Sequence, residues 1–445
     1  MSITVITRMS DSDEKPYTIG EIFSIGKNYR HPDSALVSYP NAAKNTLGSF
    51  PKNKDYKIAI IGAGASGITS LYELSRIARN QNSGKINVTL YESDYNNFIK
   101  LKNSISPFSL DVYGKRAGRV FAARSREREE KDHSVYEIGA MRFPEIAGLT
   151  WHYASIAFGD DKSVEIFPNP GKVPTEFVFG DRVDRYVYKN GTEYWLDSNS
   201  PTKVIKDIIK EGLAGTEKEP NISLYPIGCK DPIKISNELK NKDTTKVRLK
   251  EIQQQWKNFV NAYDSITLES AVRRIVKEKV KCLPQIVGVE KEEDKINYYI
   301  ELFGCFGFGT GGFKSIFNIS LIEMMRLILW DYSNEYLLPV EENVQFFSNL
   351  YDKACKDNSK FVVNVEYARV CDVCHSGSGD GVKAIVFDYK IKDGKEENCI
   401  TRGEYDFAIL AIPPKQLSAV VSRAGFNNTE RNIKFGIMLV ITIKQ

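Results

Sequence analysis

The run Lys57-Ile-Ala-Ile-Ile61 passes without a break into Gly62-Ala-Gly64-Ala-Ser-Gly67. An apolar segment with no polar interruption is the kind of strand that a parallel sheet buries on both faces, and three glycines spaced GxGxxG leave few ways to continue from it. Ile68, Leu71, Leu74 and Ala78 then recur at helical spacing, which predicts a helix from Ser66 to about Arg79. Val88-Thr-Leu-Tyr91 predicts a second short strand, and Glu92 follows it directly. Strand, glycine turn, helix, strand and acid in that order describe a dinucleotide-binding unit; the glycines alone would be a weak signal.

Each position in the turn has a physical task. Gly62 permits the tight turn, Gly64 lets backbone approach a pyrophosphate with no Cβ in the way, and Gly67 brings the helix close to the strand. The start of the helix, at Ala65 and Ser66, presents backbone N–H groups and a partial positive charge to anionic phosphates. Glu92 can accept hydrogen bonds from a ribose, and its charge disfavours a 2′-phosphate. This geometry does not separate FAD from NAD.

At 445 residues the chain exceeds what a single core usually serves, so two domains are expected. Residues 1–55 show no sustained period apart from a short apolar patch at Ile19 to Ile25 and are expected to lie as an arm on the main body. The first part of the nucleotide domain spans 56–150, with a loop-like stretch at 95–135. Helical patterns at Ser200 to Leu213, Lys246 to Ala262 and Ile319 to Trp330 indicate a second, largely helical domain over 151–340. The strands FVVNV, AIVFDY and FAILAI, within 341–422, return to the first sheet. The fold class is therefore α/β, a Rossmann-like domain interrupted by a helical insertion.

Lys+Arg 61 against Asp+Glu 57 gives a net charge of +4 without a long basic block, so nucleic acid is not implied. The stretch Arg124 to Lys131, RSREREEK, alternates sign and reads as a solvated face. The first residues lack the pattern of a secretory signal, and no apolar run approaches the ~18 residues that span a bilayer, so a soluble cytoplasmic protein is expected. Seven cysteines, an odd count, suit free thiols in a reducing compartment. Cys371-Asp-Val-Cys374-His375 matches the CxxCH haem-attachment pattern, but it sits in the alternating stretch VVNVEYARVCDVCH and reads as ordinary strand.

Further motifs appear in a fixed order: Gly114-Lys-Arg-Ala-Gly118-Arg119-Val120, then Tyr136-Glu-Ile-Gly139-Ala140-Met141-Arg142-Phe143-Pro144, then Phe308-Gly-Thr-Gly-Gly-Phe313, Glu323-Met-Met-Arg-Leu327, Ala368-Arg-Val370 and Asp406-Phe-Ala-Ile-Leu-Ala-Ile-Pro-Pro414. In this set the chain resembles the flavin amine oxidase family, in the branch holding L-amino acid oxidases and tryptophan 2-monooxygenases. The likeness runs from about residue 57 to 420. The family's GGR is AGR here, while its GAMRFP is intact.

The resemblance implies FAD rather than NAD, bound in a glutathione-reductase-type domain with an inserted substrate domain. It implies that Gly62, Gly64, Ala65, Ser66, Gly67, Glu92 and Ser93 contact the cofactor at its pyrophosphate and adenosine end, with Arg119 beside the phosphates. Gly139, Ala140 and Met141 would pass the flavin ring, and the backbone of Val370 would meet the adenine. Arg142 would hold the substrate carboxylate, a task that a planar, permanently charged guanidinium performs through two parallel hydrogen bonds; its chemistry alone allows a structural salt bridge equally, and the resemblance selects the clamp.

The implied reaction is oxidation of an L-amino acid by hydride transfer from Cα, with dioxygen as the final acceptor, giving either a keto acid, ammonia and peroxide or an amide. The expected partners are the amino acid and dioxygen, with no metal, nucleic acid or membrane and with a homodimer allowed. Family members continue past the Pro413-Pro414 region to a flavin-proximal lysine and a further glycine-rich motif. Neither is recognisable here, so 423–445 reads as a truncated tail, and neither Lys434 nor Lys444 is assigned the lysine's role. Two alternatives stand: an incomplete homologue that keeps only the nucleotide fold, and an NAD-dependent dehydrogenase, against which the GAMRFP segment argues.

Overall fold

The computed structural model describes residues 17–421 except 46–47, 52–53, 81–83, 94–108, 112–113, 125–134, 140, 167–174, 180–181, 190–191, 196–198, 220, 309–311, 331–334, 338–342, 357–358, 377–382 and 393–394. The charged stretch 125–131, Ala140, residues 309–311 of the Phe308–Phe313 motif and the tail 423–445 with its two lysines lie outside the described residues. The chain divides into two compact units, Met1–Asn41 with Arg142–His152 and Ser163–Leu337, and Ala42–Met141 with Tyr153–Lys162 and Leu338–Gln445.

The second unit is built on a six-stranded sheet in the order Lys395–Tyr405, Lys383–Lys392, Phe361–Ser376, Ile86–Glu92, Tyr56–Ile61, Phe407–Leu410. The last four strands of that order run parallel to one another, with Phe361 opposite Ile86, Ile58 opposite Val88 and Phe407 opposite Ile58. Strands from both ends of the sequence thus share one sheet. The other two, Lys383–Lys392 and Lys395–Tyr405, extend the long strand as an antiparallel meander. Ile58, Ala59 and Ile60 are at most 1% exposed, as a strand covered on both faces requires.

The helix Ala65–Asn80 buries Ile68, Leu71, Leu74 and Ala78, the four residues whose spacing predicts it. Glu73 on this helix is also buried. It accepts two hydrogen bonds from Arg76, at 2.8 and 3.0 Å, and one from the Tyr153 hydroxyl at 3.0 Å. Arg76 in turn donates to the carbonyls of Ala43 and Lys44, so one ion pair fastens two further segments to the helix. Burial still pushes the Glu73 carboxyl up, against the pull of Arg76 and the Tyr153 bond.

Between the second strand and the unit boundary, Ser109–Asp111, Gly114–Ala117 and Val120–Arg124, all inside the stretch expected to be loop-like, join Val135–Gly139 in a four-stranded antiparallel sheet. Strands of three to five residues interrupted by glycine and lysine carry no sustained alternation, which is why periodicity does not reveal them. Cys371 and Cys374 lie within the strand Phe361–Ser376, and the Cys371 thiol donates to the Phe387 carbonyl at 3.4 Å. Among the described residues no cluster of His, Cys, Asp or Glu could hold a metal, and no helix is long and apolar enough to cross a membrane.

The first unit is mainly helical: Pro201–Ala214, Pro232–Lys240, Lys246–Tyr263, Leu268–Glu278, Glu292–Phe306 and Leu321–Leu329 share one core that includes Trp256, Tyr299, Phe303 and Met325. Caps fix their starts, as where the Thr245 and Thr267 hydroxyls accept from the backbone N–H three residues on. The unit also holds the antiparallel strands Thr175–Phe179, Arg182–Lys189 and Thr192–Trp195, an addition to its largely helical expectation.

Residues 17–45, inside the segment expected to lie as an arm, are built into secondary structure. Thr18 and Glu21 form a reciprocal capping box at the start of the helix Ile19–Gly26, whose Ile19 and Ile22 are fully buried. Farther on, the Asp33 carboxylate accepts from Trp256 Nε1 at 2.9 Å and Arg326 Nε at 3.2 Å, and lies 2.9 Å from His31 Nδ1. Burial acts to raise this carboxyl, but the bonds from His31, Arg326 and Trp256 outweigh it and hold Asp33 well below the usual carboxylate range.

Candidate dinucleotide site

The site is set by where the strand Tyr56–Ile61 ends. The Gly62 N–H donates to the Tyr91 carbonyl at 2.8 Å, and the Ala411 N–H donates to the Ile61 carbonyl at 2.9 Å, so the turn starts at the edge where three parallel strands finish together. Gly62 has φ +102°, and a Cβ there would stand 2.6 Å from the Ala411 carbonyl oxygen. Only glycine meets both conditions without strain. At Gly67 a Cβ would fall 1.9 Å from the Gly62 carbonyl oxygen, so the helix reaches its close packing against the turn only with hydrogen at that position.

Gly64 is different. A Cβ there would find nothing nearer than 3.9 Å, so no protein atom forbids a side chain. Its glycine keeps an open cradle in front of the helix Ala65–Asn80, whose first turn carries no acidic residue; Ala65 is half-buried and Ser66 exposed. Unpaired N–H groups and the helix dipole make such a position suited to an anion.

Two neighbours complete the cradle. Glu92, 9% exposed at the end of its strand, accepts from the Ala63 N–H at 2.9 Å, tying the turn to the second strand; Ser93 beyond it is exposed. On another side, Gly118 and Arg119 form the two-residue turn between Gly114–Ala117 and Val120–Arg124, with Ala117 opposite Val120. Gly118 has φ +60°, and a Cβ on it would lie 3.2 Å from Gly64 Cα. Here the departure from GGR finds its explanation: Ala117 is the last residue of a strand and 1% exposed, so the left-handed conformation falls on Gly118 alone. The turn leaves Arg119 exposed beside the cradle.

Gly139 belongs to the same group. It lies opposite Phe121, and a Cβ on it would stand 1.9 Å from the Arg119 carbonyl oxygen. Val370, 8% exposed, shares a buried cluster with Ile61 and Tyr91; it pairs with Asp388, and the register shifts between it and Asp372. The structure therefore gathers Gly62, Gly64, Ala65, Ser66, Gly67, Glu92, Ser93, Arg119, Gly139 and Val370 within one unit. Met141, 39% exposed, is the last residue of that segment. Arg142, half-buried, opens the segment Arg142–His152 of the helical unit, just before the strand Phe143–Pro144, which pairs with Glu335–Leu337.

Three participants are not evident from the motifs: the Ala63 N–H that engages Glu92, the Ala411 carbonyl that closes over Gly62, and the hydroxyl pair of Tyr91 and Tyr405, 2.6 Å apart in the buried cluster. Burial, aided by the hydrogen bond with Tyr405, pushes the Tyr91 phenol far up, so Tyr91 is neutral at physiological pH.

No family model matches the chain. Its sequence is 48% identical over 437 residues to a phenylalanine 2-monooxygenase precursor of Pseudomonas sp, covering 96% of this chain and 60% of the relative. It is 28% identical over 284 residues to tryptophan 2-monooxygenase of Pseudomonas savastanoi (64% of this chain, 42% of the relative) and 24% identical over 357 residues to that of Pantoea agglomerans pv. gypsophilae (80% and 54%). The chain thus spans less than two thirds of the length of each of these relatives. Solved structures of a Pyrococcus furiosus protein and a Methanosarcina mazei oxidoreductase match with TM-scores of 0.33 and 0.34 at 12% identity, each over 84% of this chain and 63% of theirs, too remote to bear on fold or function. The sequence likeness over nearly the whole chain shows that it belongs to the flavin amine oxidase family, in the branch of the amino acid 2-monooxygenases.

Proposed function

We propose that the chain carries out oxidation of an L-amino acid, with FAD in the glycine-loop cradle and Arg142 on the substrate carboxylate. The observation that carries this reading is the 48% identity to a phenylalanine 2-monooxygenase precursor over 96% of the chain. The cradle fits the cofactor's diphosphate: Gly64 leaves room where a Cβ would otherwise stand, and the helix start behind it carries no acid to repel phosphate. Glu92 suits a ribose diol and disfavours a 2′-phosphate. Ser93 and Val370 would complete the adenosine end, with Arg119 at the phosphates and Gly139, Ala140 and Met141 along the ring. When bound, FAD supplies the hydride acceptor for the amino acid Cα and passes the electrons to dioxygen.

The chain's own contribution is binding and orientation. Arg142 would hold the carboxylate by two parallel bonds and so fix Cα, an effect that can lower the barrier by several kcal/mol. The relatives are named for phenylalanine and tryptophan, which points to an aromatic L-amino acid. Release of the imino acid and its hydrolysis by water gives keto acid and ammonia, with peroxide formed from dioxygen; oxidative decarboxylation before release gives the amide, carbon dioxide and water.

The test is to add FAD to the full chain and supply L-phenylalanine and L-tryptophan in air, assaying peroxide and identifying products by mass. Amide or keto acid from either substrate is expected. A chain that takes up no FAD would instead be a homologue that keeps the fold without the reaction. Arg142→Ala should raise KM by roughly a hundredfold, the loss of about 3 kcal/mol from a charged clamp, at unchanged flavin content. Equal loss of flavin and activity would make Arg142 structural.

A further inference from the structure

Resting on the FAD reading above, we propose that the hydroxyl pair Tyr91–Tyr405 is a positioning device for the adenosine end of the dinucleotide. The two oxygens are 2.6 Å apart, the rings meet edge to face at 6.3 Å and 83°, and the residues are 5% and 9% exposed. Tyr91 immediately precedes Glu92, whose carboxylate holds the turn through the Ala63 N–H. Tyr405 ends the outer strand of the meander, opposite Ala384, and Ala384 lies opposite His375 of the long strand. The one hydrogen bond therefore joins the strand that ends at Glu92 to the meander that carries the register shift at Val370.

A second observation bears on the same place. Asp388, opposite Val370 at that shift, is 2% exposed, so the irregularity in the long strand lies next to a buried acid rather than in open solvent. Apolar packing among Ala59, Ile61, Val370, Val373 and Val386 would tolerate small sliding of the meander over the parallel strands. A directional bond between two buried hydroxyls does not, because separating them leaves each without its partner at a cost that phenylalanine rings would not incur. The backbone ladder joins the long strand to the strand Ile86–Glu92 as far as Tyr367 opposite Glu92, and the pair adds a directional tie beyond the end of that ladder, where the long strand carries Val370; Glu92 and the Val370 backbone are the two points expected to hold ribose and adenine.

The experiment is a calorimetric titration of ADP into the full chain, with FAD titrations alongside, for the wild type, Tyr91→Phe, Tyr405→Phe and the double variant, each confirmed folded by its melting temperature. Each single variant should weaken ADP about fivefold, the worth of one buried hydrogen bond, and the double variant should be no weaker than the worse single. The absorbance of bound FAD should keep its shape, since the isoalloxazine end is untouched. Lower melting temperatures with ADP affinity unchanged in both single variants would overturn the inference and leave the pair a merely structural bond, as would strictly additive losses in the double variant. A wild-type chain that binds neither ADP nor FAD would overturn the dinucleotide reading itself.

Discussion

In the helical unit the spaces between elements are filled by large side chains, whereas at the glycine loop they are kept by having none. Trp256 is 1% exposed, stacks on Phe259 at 5.5 Å, receives Arg326 over its ring and donates to Asp33. At the loop, Gly62, Gly67, Gly118 and Gly139 bring backbone atoms within distances that any Cβ would violate or crowd, and Gly64 leaves its space open. The contrast teaches that stability in one region is a matter of volume and is graded. In the other, the close backbone approaches at Gly62, Gly67 and Gly139 leave no room for an added atom.

Three changes would break or sharpen that contrast. The largest effect on stability is expected from Trp256→Ala, which removes a buried indole and orphans one bond to Asp33; denaturant unfolding should show a loss of about 3–5 kcal/mol. ADP affinity of the remaining folded protein should stay within about twofold, and a parallel loss of affinity would break the separation between the two regions.

Gly67→Ala should act the other way round. A methyl group 1.9 Å from the Gly62 carbonyl oxygen forces the turn open. We expect ADP binding to weaken by about 30-fold or more, the equivalent of about 2–3 kcal/mol of strain. Unimpaired binding would show that the cradle does not depend on this close approach.

The smallest effect concerns pH. Because the folded Asp33 carboxyl is held below its unfolded value of about 3.9, its stabilising contribution is fully present above that pH and is lost as pH falls through the folded value. The side chain is 42% exposed, so solvent screening limits the effect to less than about 1 kcal/mol. Asp33→Asn should therefore lower stability by that small amount at pH 7 and converge with the wild type as pH falls below about 4, which flattens the acid limb. An acid limb identical in the variant would assign it to other carboxylates.

Much of this was legible in the residues. An unbroken apolar strand, three glycines at fixed spacing and a helix with Ile68, Leu71, Leu74 and Ala78 on one face need only local rules to be placed, and the structure puts the helix at Ala65–Asn80 and the strands at Tyr56–Ile61 and Ile86–Glu92. The helix Ile19–Gly26 escaped the periodicity reading although its capping box, Thr18 with Glu21, is written locally. The short strands of 109–139 escaped it for a better reason: each is stabilised by its neighbour across a turn, so no single one carries a pattern of its own.

What the sequence by itself determined is the identity of the strand–turn–helix unit, because glycine's missing Cβ and the helical period are properties of residues close together in the chain. Only the tertiary structure decided which atoms meet across hundreds of residues: Ala411 over Gly62, Gly118 against Gly64, and Tyr405 on Tyr91. Those contacts arise from strand order and register in a sheet assembled from both ends of the chain, and sheet order is a cooperative outcome of burial that no local run of residues encodes.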